Sequence, residues 1–394
     1  MKQERVWIVP VLALMGLGFA LGACEYVVVP ILPDIASGLN TDLGAVGKLV
    51  GTFAAGYAIG TPVVTAATGR VPRFRLLMTL LAAFLTVNAL SMLAPSVAVL
   101  SLTRAIAAVS VGTLTAVALL FVQEVAPPER TAKAVAMIYT SMSLATVVGN
   151  PLNQQLSRHF GWRAPFALLL VIGVVLVLVL WRVLPHTDAA SGQDGGFARQ
   201  FAVLRDRRYA LCAVMAMCCY AATYTVYTYL TPILTDILGV GESAISVWLL
   251  VVGLCCMCSN LLAGWLGERG DVKRTPVVFL IQLVLFAAMP ALLKNRWTGL
   301  AAVLVMCVVM YLLSTPVQVF ALHLAETDQP YAANLCASTL PVTGNIGIAI
   351  GSFASSELQA LVGMERLGLP AAVLALAGLT LNLLLLRSCK RAKM

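Results

Sequence analysis

The chain has 394 residues, of which 60% are hydrophobic and 11% are charged, and its formal net charge is +9. A mean hydropathy of +0.92 lies well outside the range of soluble domains and excludes that class. The positive charge does not indicate nucleic-acid binding, because the basic residues fall in short gaps between long uncharged stretches.

Twelve of these uncharged stretches are long enough to cross a bilayer. A hydrocarbon core about 30 Å thick needs about 20 apolar residues at helical rise, and backbone amides in lipid must bond within their own segment. The sequence therefore predicts an all-α membrane protein with twelve transmembrane helices in two six-helix bundles. The predicted spans are residues 7–33, 45–67, 75–94, 96–121, 133–157, 164–184, 209–235, 245–266, 276–293, 298–323, 333–359 and 369–387.

The basic residues also orient the chain. If the N-terminus is cytoplasmic, most of the 26 lysines and arginines fall in cytoplasmic gaps, as the positive-inside rule requires. Both termini are then cytoplasmic in a bacterial inner membrane. The segment Leu21–Cys24 after Lys2 and Arg5 resembles a lipoprotein signal, which is the alternative for this end, but the apolar run continues to Pro33 and favours an uncleaved helix.

The ten cysteines predict neither a disulfide framework nor a metal site. Nine of them fall within apolar spans, and Cys389 lies on the cytoplasmic tail. The cluster of Cys255, Cys256 and Cys258 has no histidine or carboxylate beside it. We expect no cofactor.

The longest predicted cytoplasmic gap, residues 185–208, is rich in glycine and arginine and is typical of a flexible linker. It separates a predicted N-terminal six-helix bundle, residues 1–184, from a C-terminal one, residues 209–394. A basic turn recurs in the two halves, at residues 68–75 and 267–274, about half the chain apart. This pattern indicates an internal duplication, which is typical of transporters.

The second of these turns, Gly264–Gly270 followed by Lys273 and Arg274, resembles the loop signature of the major facilitator superfamily. In that family the acidic residue and the arginines latch the two halves together in one state. The first-half copy departs from the pattern, with Gly69 in place of an acid and Pro72 in place of a glycine, which weakens a latch role there. The residues that the resemblance assigns to these motifs are Arg70, Arg73, Gly264, Glu268, Arg269 and Arg274.

Further segments resemble the drug:proton antiporter branch of this superfamily, in particular bacterial arabinose and sugar efflux permeases. They extend from the first predicted helix to the eleventh. The segments are Gly22–Tyr26, Gly149–Leu152, Phe160–Arg163, Thr228–Pro232 and Asn345–Gly351. The resemblance implies a proton-coupled exporter of the major facilitator fold.

Glu25 and Arg104 are ionisable residues well inside predicted spans, where burying an ion is costly and a functional role is the first hypothesis. At helical rise both lie about 12 Å below the outer ends of their helices. Making and breaking a carboxylate–guanidinium pair changes the proton affinity of the carboxylate. We therefore predict that this pair couples transport to protons, and in the antiporters that the chain resembles the arginine at the position of Arg104 is important for coupling. The alternatives are a static buried ion pair and a Glu25 that only faces an outer vestibule.

Gly149 and Pro151 in the fifth span allow a close helix approach and a bend. Their position resembles the antiporter motif of exporters, although Asn153 stands where a glycine is common. Ordinary tight packing is the alternative.

Tyr220, Tyr224 and Tyr227 recur at helical spacing in the seventh span and offer aromatic surfaces with hydroxyl groups. Such a face suits a sugar or an amphiphilic drug, and interhelix packing is the alternative. Weaker candidates for the substrate cavity are Asn150, Gln318 and Asn345.

The sequence as a whole predicts a proton-coupled antiporter that exports a small sugar-like or drug-like solute by alternating access. No phosphate-binding P-loop is present, so the energy source is an ion or substrate gradient. The alternatives are an uptake symporter or facilitator of the same fold and, in another class, a non-transporting membrane receptor.

Histidines and carboxylates are too few and too dispersed for an enzyme site. The expected partners are a small-molecule substrate, protons and the lipid bilayer, without nucleic acid, and the protein is expected to be a monomer.

Overall fold

A computed structural model describes residues 7–186, 203, 205–268, 274–327, 336 and 339–392. These residues form helices and connecting turns, and no strand occurs among them. The long helices are α1 (Ile8–Tyr26), α2 (Leu43–Ala67), α3 (Arg73–Met92), α4 (Val97–Val125), α5 (Pro128–Phe160), α6 (Ala164–Val183), α7 (Arg207–Tyr227), α8 (Ile245–Glu268), α9 (Thr275–Leu292), α10 (Arg296–Leu324), α11 (Thr339–Val362) and α12 (Gly368–Ala392).

Local sequence signals explain where several helices begin and end. The side chain of Ser96 accepts from the backbone N–H of Val99 at the start of α4, and that of Asn295 caps α10 in the same way. Pro72 precedes α3, where its missing N–H is no loss. Gly161, with φ of 84°, ends α5 in a backbone conformation that favours glycine.

Eleven helices in the described part of the chain are long and apolar enough to cross a membrane, and they match eleven of the twelve predicted spans. The predicted eleventh span is also a helix, α11, but it is less apolar than the others. Its polar residues pack against the α7 region, where Thr228 and Ser352 share a hydrogen bond of 2.9 Å and the Tyr229 hydroxyl donates to Ser356 Oγ at 3.2 Å. A helix whose polar groups are satisfied by a neighbouring helix does not have to be apolar on that face.

Helix α10 is interrupted by turn residues between Val309 and Ser314, and α1 and α5 also depart from regular α geometry. After Tyr26 the chain of α1 continues through a 3₁₀ turn, Val29–Ile31, into a short helix, Leu32–Gly38. Helix α5 contains a π-helical turn, Ala145–Gly149, directly before Asn150 and Pro151. Proline removes a backbone donor and π turns occur mostly at functional sites, so both irregularities draw attention to the contact between α1 and α5.

The described chain divides into two compact units. The first comprises Met1–Asp42 and Ala55–Asp194, and the second comprises Leu43–Ala54 and Gly195–Met394. The predicted boundaries of two domains and a linker at residues 184 and 208 stay a prediction, and most of the predicted linker lies outside the described residues.

In the first unit, α1 packs against α4, α5 and α6, and α3 packs against α4 and α6. Gly18 and Gly22 bring α1 close to α5. A Cβ at position 18 would lie 2.6 Å from the Ser141 hydroxyl, and one at position 22 would lie 2.9 Å from the Met142 carbonyl oxygen. The absence of side chains at these two positions is therefore what allows the two helices to approach.

In the second unit, α7 packs against α11 and α12, and α9 packs against α12. Polar groups form hydrogen bonds across these contacts: the Gln282 side chain donates to Thr223 Oγ1 at 3.1 Å, and Asn382 Nδ2 donates to Thr275 Oγ1 at 2.5 Å. The amide oxygens of Gln282 and Asn382 are buried and have no partner in the described chain. The first half of α2 belongs to this unit, and there Lys48 Nζ lies 2.6 Å from Glu357 Oε1. Both side chains are exposed, so this ion pair adds little stability.

The glycines of α11 yield a stability prediction. A Cβ at position 351 would collide with the backbone of Ala221 in α7, whereas one at position 264 in α8 would meet nothing within 4 Å. We expect Gly351→Ala to lower the free energy of unfolding by about 1–3 kcal/mol, because the backbone cannot give way as a side chain can. Gly264→Ala is the matched control and should be neutral or slightly stabilising. Thermal unfolding of the purified variants in detergent measures both, and equal melting temperatures would contradict the prediction.

A second prediction concerns Asp206, which caps α7. Its carboxylate accepts from Arg208 N at 2.8 Å and from Arg208 Nη2 at 2.9 Å. Burial raises the pKa of Asp206, but the hydrogen bonds and charge of Arg208 outweigh burial and hold that pKa below its usual value. A lowered pKa gives stability that is present above the unfolded pKa of about 4 and is lost as pH falls through the folded pKa.

Asp206→Ala should therefore lower the melting temperature at neutral pH, and the difference from the unmodified protein should shrink as pH falls below about 4. Melting curves recorded between neutral and acidic pH test this. A difference that stays constant over that range would show that the charge of Asp206 contributes nothing.

Candidate functional site

The structure brings Arg104 of α4 against Cys24 and Glu25 at the end of α1. The Arg104 side chain is 1% exposed. Its Nη1 lies 3.5 Å from Cys24 Sγ, and its Nη2 donates to the backbone carbonyl oxygen of Glu25 at 3.2 Å. The two residues that sequence analysis singled out as ionisable groups within spans therefore lie together.

The polar contacts continue from this guanidinium into α3. The Cys24 thiol lies 3.9 Å from Asn88 Oδ1, and the Asn88 amide in turn donates to the carbonyl oxygen of Phe84 at 2.7 Å. One turn further along α3, Ser91 Oγ donates to Thr103 Oγ1 of α4 at 2.8 Å. A buried guanidinium is tolerated where surrounding groups accept its hydrogen bonds. Here Cys24 and Glu25 of α1 supply two acceptors, and Cys24 links them to Asn88 of α3.

The Glu25 side chain is half-buried, and several groups from different helices surround it. Arg104 of α4 and the Tyr57 hydroxyl of α2 both lie within electrostatic range of its carboxylate, and Tyr26 follows it in the chain. Tyr139 of α5 lies within the same range of Tyr57. Sequence analysis missed Tyr57 and Tyr139, because a tyrosine in an apolar span carries no signal of what it faces.

In α5, Gly149 is the last residue of the π turn, and Asn150 follows it. A Cβ at Gly149 would be 3.8 Å from Ala23, an ordinary contact, so the close approach of α1 and α5 depends on Gly18 and Gly22 instead. Asn150 is 1% exposed, and neither atom of its side-chain amide has a hydrogen-bond partner in the described chain.

The three tyrosines of α7 are buried inside the second unit. Tyr220, Tyr224 and Tyr227 are 5%, 2% and 1% exposed. The rings of Tyr224 and Tyr227 meet edge to face with centroids 5.3 Å apart, and Tyr220 lies 6.4 Å from the ring of Tyr311. Their predicted contact with substrate stays a prediction.

The two weaker candidates of the second unit make hydrogen bonds to backbone. Asn345 Nδ2 donates to the carbonyl oxygen of Pro341 at 2.9 Å, whereas its Oδ1 is buried and has no partner in the described chain. Gln318 Nε2 donates to the carbonyl oxygen of Cys336 at 3.2 Å. The Oδ1 atom of Asn345 can therefore accept a hydrogen bond from another donor.

The structure describes only some of the residues that are predicted to form the conformational motifs. Arg73 Nη1 at the start of α3 lies 2.7 Å from Glu124 Oε1 near the end of α4, an ion pair that sequence analysis did not foresee. Arg70 and Arg274 are exposed. Arg269 and the side chain of Glu268 lie outside the described residues. No group of three or more metal-binding side chains occurs in the described part of the chain.

Polar and ionisable side chains inside the spans of a multi-pass helical protein indicate a functional site within the membrane, as found in membrane transporters. Residues 14–352 match the family model of the Major Facilitator Superfamily, and the chain belongs to that family. It is accordingly a transporter and not an enzyme, as the sequence predicted.

Three relatives cover most of the chain. The "Inner membrane transport protein YdhP" of Escherichia coli (strain K12) is 26% identical over 97% of this chain and 96% of its own length. The "Chloramphenicol resistance protein" of Streptomyces lividans is 28% identical over 84% of each chain. The "Probable sugar efflux transporter" of Pasteurella multocida (strain Pm70) is 25% identical over 93% of this chain and 89% of its own.

Solved structures show the same fold. A bacterial homologue of the human lysosomal transporter Spinster superimposes with a TM-score of 0.77 at 14% identity and covers 98% of both chains. A D-xylose–proton symporter superimposes with a TM-score of 0.71 at 14% identity, covering 96% of this chain and 97% of its own. The predicted all-α major facilitator fold is confirmed.

The buried guanidinium gives a third prediction. Replacing it in Arg104→Gln removes a donor to both Cys24 and the Glu25 carbonyl, and buried acceptors left without a donor cost about 1–3 kcal/mol each. We expect the melting temperature of the purified protein to fall by several degrees. The matched control is Arg182→Gln, because Arg182 is exposed at the end of α6. Equal effects of the two substitutions would show that the α1–α4 contact does not depend on Arg104.

Proposed function

We propose that this transporter is a proton-coupled antiporter that exports a small sugar-like or drug-like solute. The observation that carries the proposal is the approach of Arg104 to Glu25 within the first unit. A carboxylate whose neighbouring guanidinium can move closer or further away changes its proton affinity with each conformation. Such a change is what coupling to a proton gradient requires.

In this mechanism Glu25 takes up a proton from outside in the outward-open state and releases it to the cytoplasm when substrate binds. Arg104 modulates the exchange, since its positive charge favours the ionised carboxylate. In this mechanism the Tyr57 hydroxyl, which lies within electrostatic range of that carboxylate, donates a hydrogen bond to it in one of the two states. Residues 1–184 and 209–394 act as the two domains of alternating access, with the arginine motifs Arg70–Arg73 and Arg269–Arg274 at their cytoplasmic turns.

The substrate class is supported by the names of two relatives, one a chloramphenicol resistance protein and one a sugar efflux transporter. We assign substrate contacts to Tyr220, Tyr224 and Tyr227, whose rings and hydroxyls suit an amphiphilic or hydroxylated solute. Asn150, Gln318 and Asn345 are further amides that can bind hydroxyl groups.

The proposed location is the bacterial inner membrane, with both termini cytoplasmic and the protein a monomer. The positive-inside distribution of lysine and arginine supports the orientation. The name of the relative YdhP, an inner membrane transport protein, supports the assignment to the inner membrane.

The test begins with a thermal-shift screen of sugars, nucleosides and amphiphilic antibiotics against the purified protein. For a solute that binds, we expect its addition to weakly buffered protein to release protons, because substrate and proton compete. Glu25→Gln should abolish that release while keeping binding, since the amide cannot ionise. Unchanged proton release and unchanged efflux in the variant would exclude Glu25 as the coupling residue.

The rival function is uptake or facilitated diffusion, which the shared fold of the D-xylose–proton symporter makes a specific alternative. Everted vesicles distinguish the two directions. Accumulation of the solute driven by an acidic lumen supports export, whereas transport that is indifferent to a proton uncoupler identifies a facilitator. Binding without flux in proteoliposomes would instead identify a receptor.

A further inference from the structure

The outer half of α5 has a buried polar face. Asn150, Asn153 and Ser157 are 1%, 3% and 4% exposed, and their spacing of three and four residues places them on one side of the helix. Leu152 and Phe160 of the same segment are 39% and 76% exposed. Polar side chains of this segment are therefore buried on one face while Leu152 and Phe160 are exposed, although Arg158 and His159 at its end are exposed as well. Polar side chains within a membrane span that face the protein interior are expected where they serve a function.

The polar face is turned towards the continuation of α1. Ser157 Oγ donates to Asp34 Oδ2 at 2.5 Å, and the same segment of α5 packs against the 3₁₀ turn Val29–Ile31. Asp34 belongs to the short helix Leu32–Gly38 beyond the end of α1. The half-buried carboxylate of Asp34 therefore lies against the outer end of this polar face.

The amides between this carboxylate and the π turn have unused hydrogen-bonding capacity. Asn150 Oδ1 and Nδ2, Asn153 Nδ2 and Gln154 Oε1 are all buried and have no partner in the described chain. Leaving such an atom dry costs about 1–3 kcal/mol. Water in a buried polar site typically makes about three hydrogen bonds to groups of this kind, and it would satisfy these four atoms together.

Glu25 lies at the inner end of the same contact. Gly18, Gly22 and Glu25 are spaced by four and three residues and share one row of α1, and the first two meet α5 at Ser141 and Ala145. Glu25 therefore continues this row one turn further out, and α1 packs against the π turn that precedes Asn150.

We propose that Asn150, Asn153 and Gln154 hold a file of water molecules between α1 and α5, and that this file carries protons between Asp34 and Glu25. The inference rests on the proposed role of Glu25 in proton coupling and adds the route that the proton takes. Glu25, Arg104 and Tyr57 form the inner end of this route, and the Asp34–Ser157 hydrogen bond forms its outer end.

The chemistry of the route is a relay in which each water accepts one proton and passes one on. A proton enters from the outer solution at Asp34, and the last water transfers one to the Glu25 carboxylate, so no other reactant is needed. The amides are neutral and do not titrate, and they therefore orient the waters without trapping the proton. The charged and titratable groups that face Glu25 are Arg104 from α4, Tyr57 from α2, and Cys24 and Tyr26 from its own helix.

The test measures how fast water reaches Glu25 and needs no substrate. In the purified protein in lipid nanodiscs, the infrared carboxyl band that disappears in Glu25→Gln identifies the protonated Glu25 side chain. Changing the buffer from H₂O to D₂O shifts this band at the rate of proton exchange. We expect Asn150→Leu and Asn153→Leu to slow the exchange by about tenfold or more, because each removes hydrogen bonds that order the waters.

Two further variants separate hydration from packing. Asn150→Ser keeps a polar group and leaves more room for water, so its exchange rate should stay near that of the unmodified protein. Leu152→Val alters the exposed face of the same turn and should change nothing. Melting temperatures add an independent readout, since replacing a dry, unsatisfied amide by leucine would stabilise the protein, whereas replacing a hydrated one would not.

The possible results are distinct. If no carboxyl band depends on Glu25 over the whole pH range, the proposed coupling role of Glu25 fails and the route fails with it. If the band is present but Asn150→Leu and Asn153→Leu exchange as fast as the unmodified protein, the route alone is wrong. Should Asn150→Leu fail to fold, Asn153→Leu and Asp34→Asn carry the same expectation of slowed exchange.

Discussion

The constraint on which this molecule depends is that a polar group buried inside its helical units needs a hydrogen-bond partner, either in the protein or in buried water. Arg104 shows the constraint most clearly, because its guanidinium is fully buried and is held by the Cys24 thiol and the Glu25 carbonyl. These contacts fix α4 against the end of α1, where the regular helix gives way to a 3₁₀ turn. The site proposed for proton coupling is therefore also a packing element of the first unit. A substitution of Arg104 removes these packing contacts, whereas Glu25→Gln leaves both of them in place.

The two units satisfy their buried polar groups differently. In the described part of the second unit the buried hydrogen bonds named above join neutral groups, such as Thr228 with Ser352 and Gln282 with Thr223. Amide oxygens without a partner occur there too, on Gln282, Asn345 and Asn382, but no buried ion lies beside them in the contacts described. In the first unit a buried cation, a half-buried carboxylate and a row of amides without protein partners lie along α1. Neutral hydrogen bonds suit helix association, whereas unsatisfied amides beside an ionisable group suit water and protons. This asymmetry favours assigning proton chemistry to the first unit and solute contacts to the tyrosines of α7.

The prediction of spans succeeded because hydropathy and length are properties of the chain itself, and most predicted ends lie within a few residues of the observed ones. Helix α11 is not among the eleven helices of the described chain that are apolar enough to cross a membrane, yet its length between charged gaps predicted it correctly as a helix. Pairings were harder to predict. The role of Arg73 in a loop motif stays a prediction, and its contact with Glu124, 51 residues away, was not foreseen. The role of Gly149 also stays a prediction, and the closest contacts between α1 and α5 occur at Gly18 and Gly22, which were not singled out for this. Contacts of this kind depend on helix rotation, which a continuously apolar sequence does not specify.

The amino-acid sequence by itself determined the helical membrane class, the approximate spans and the resemblance to a transporter family, because bilayer thickness and backbone hydrogen bonding leave few alternatives. It also singled out Glu25 and Arg104, since charge is conspicuous in apolar surroundings. Only the tertiary structure decided that Arg104 contacts Cys24, that Asp34 binds Ser157, and that the amides of α5 lie in a row without protein partners. The physical reason is that a buried polar side chain takes its role from atoms distant in the chain, and packing alone brings those atoms within hydrogen-bonding distance.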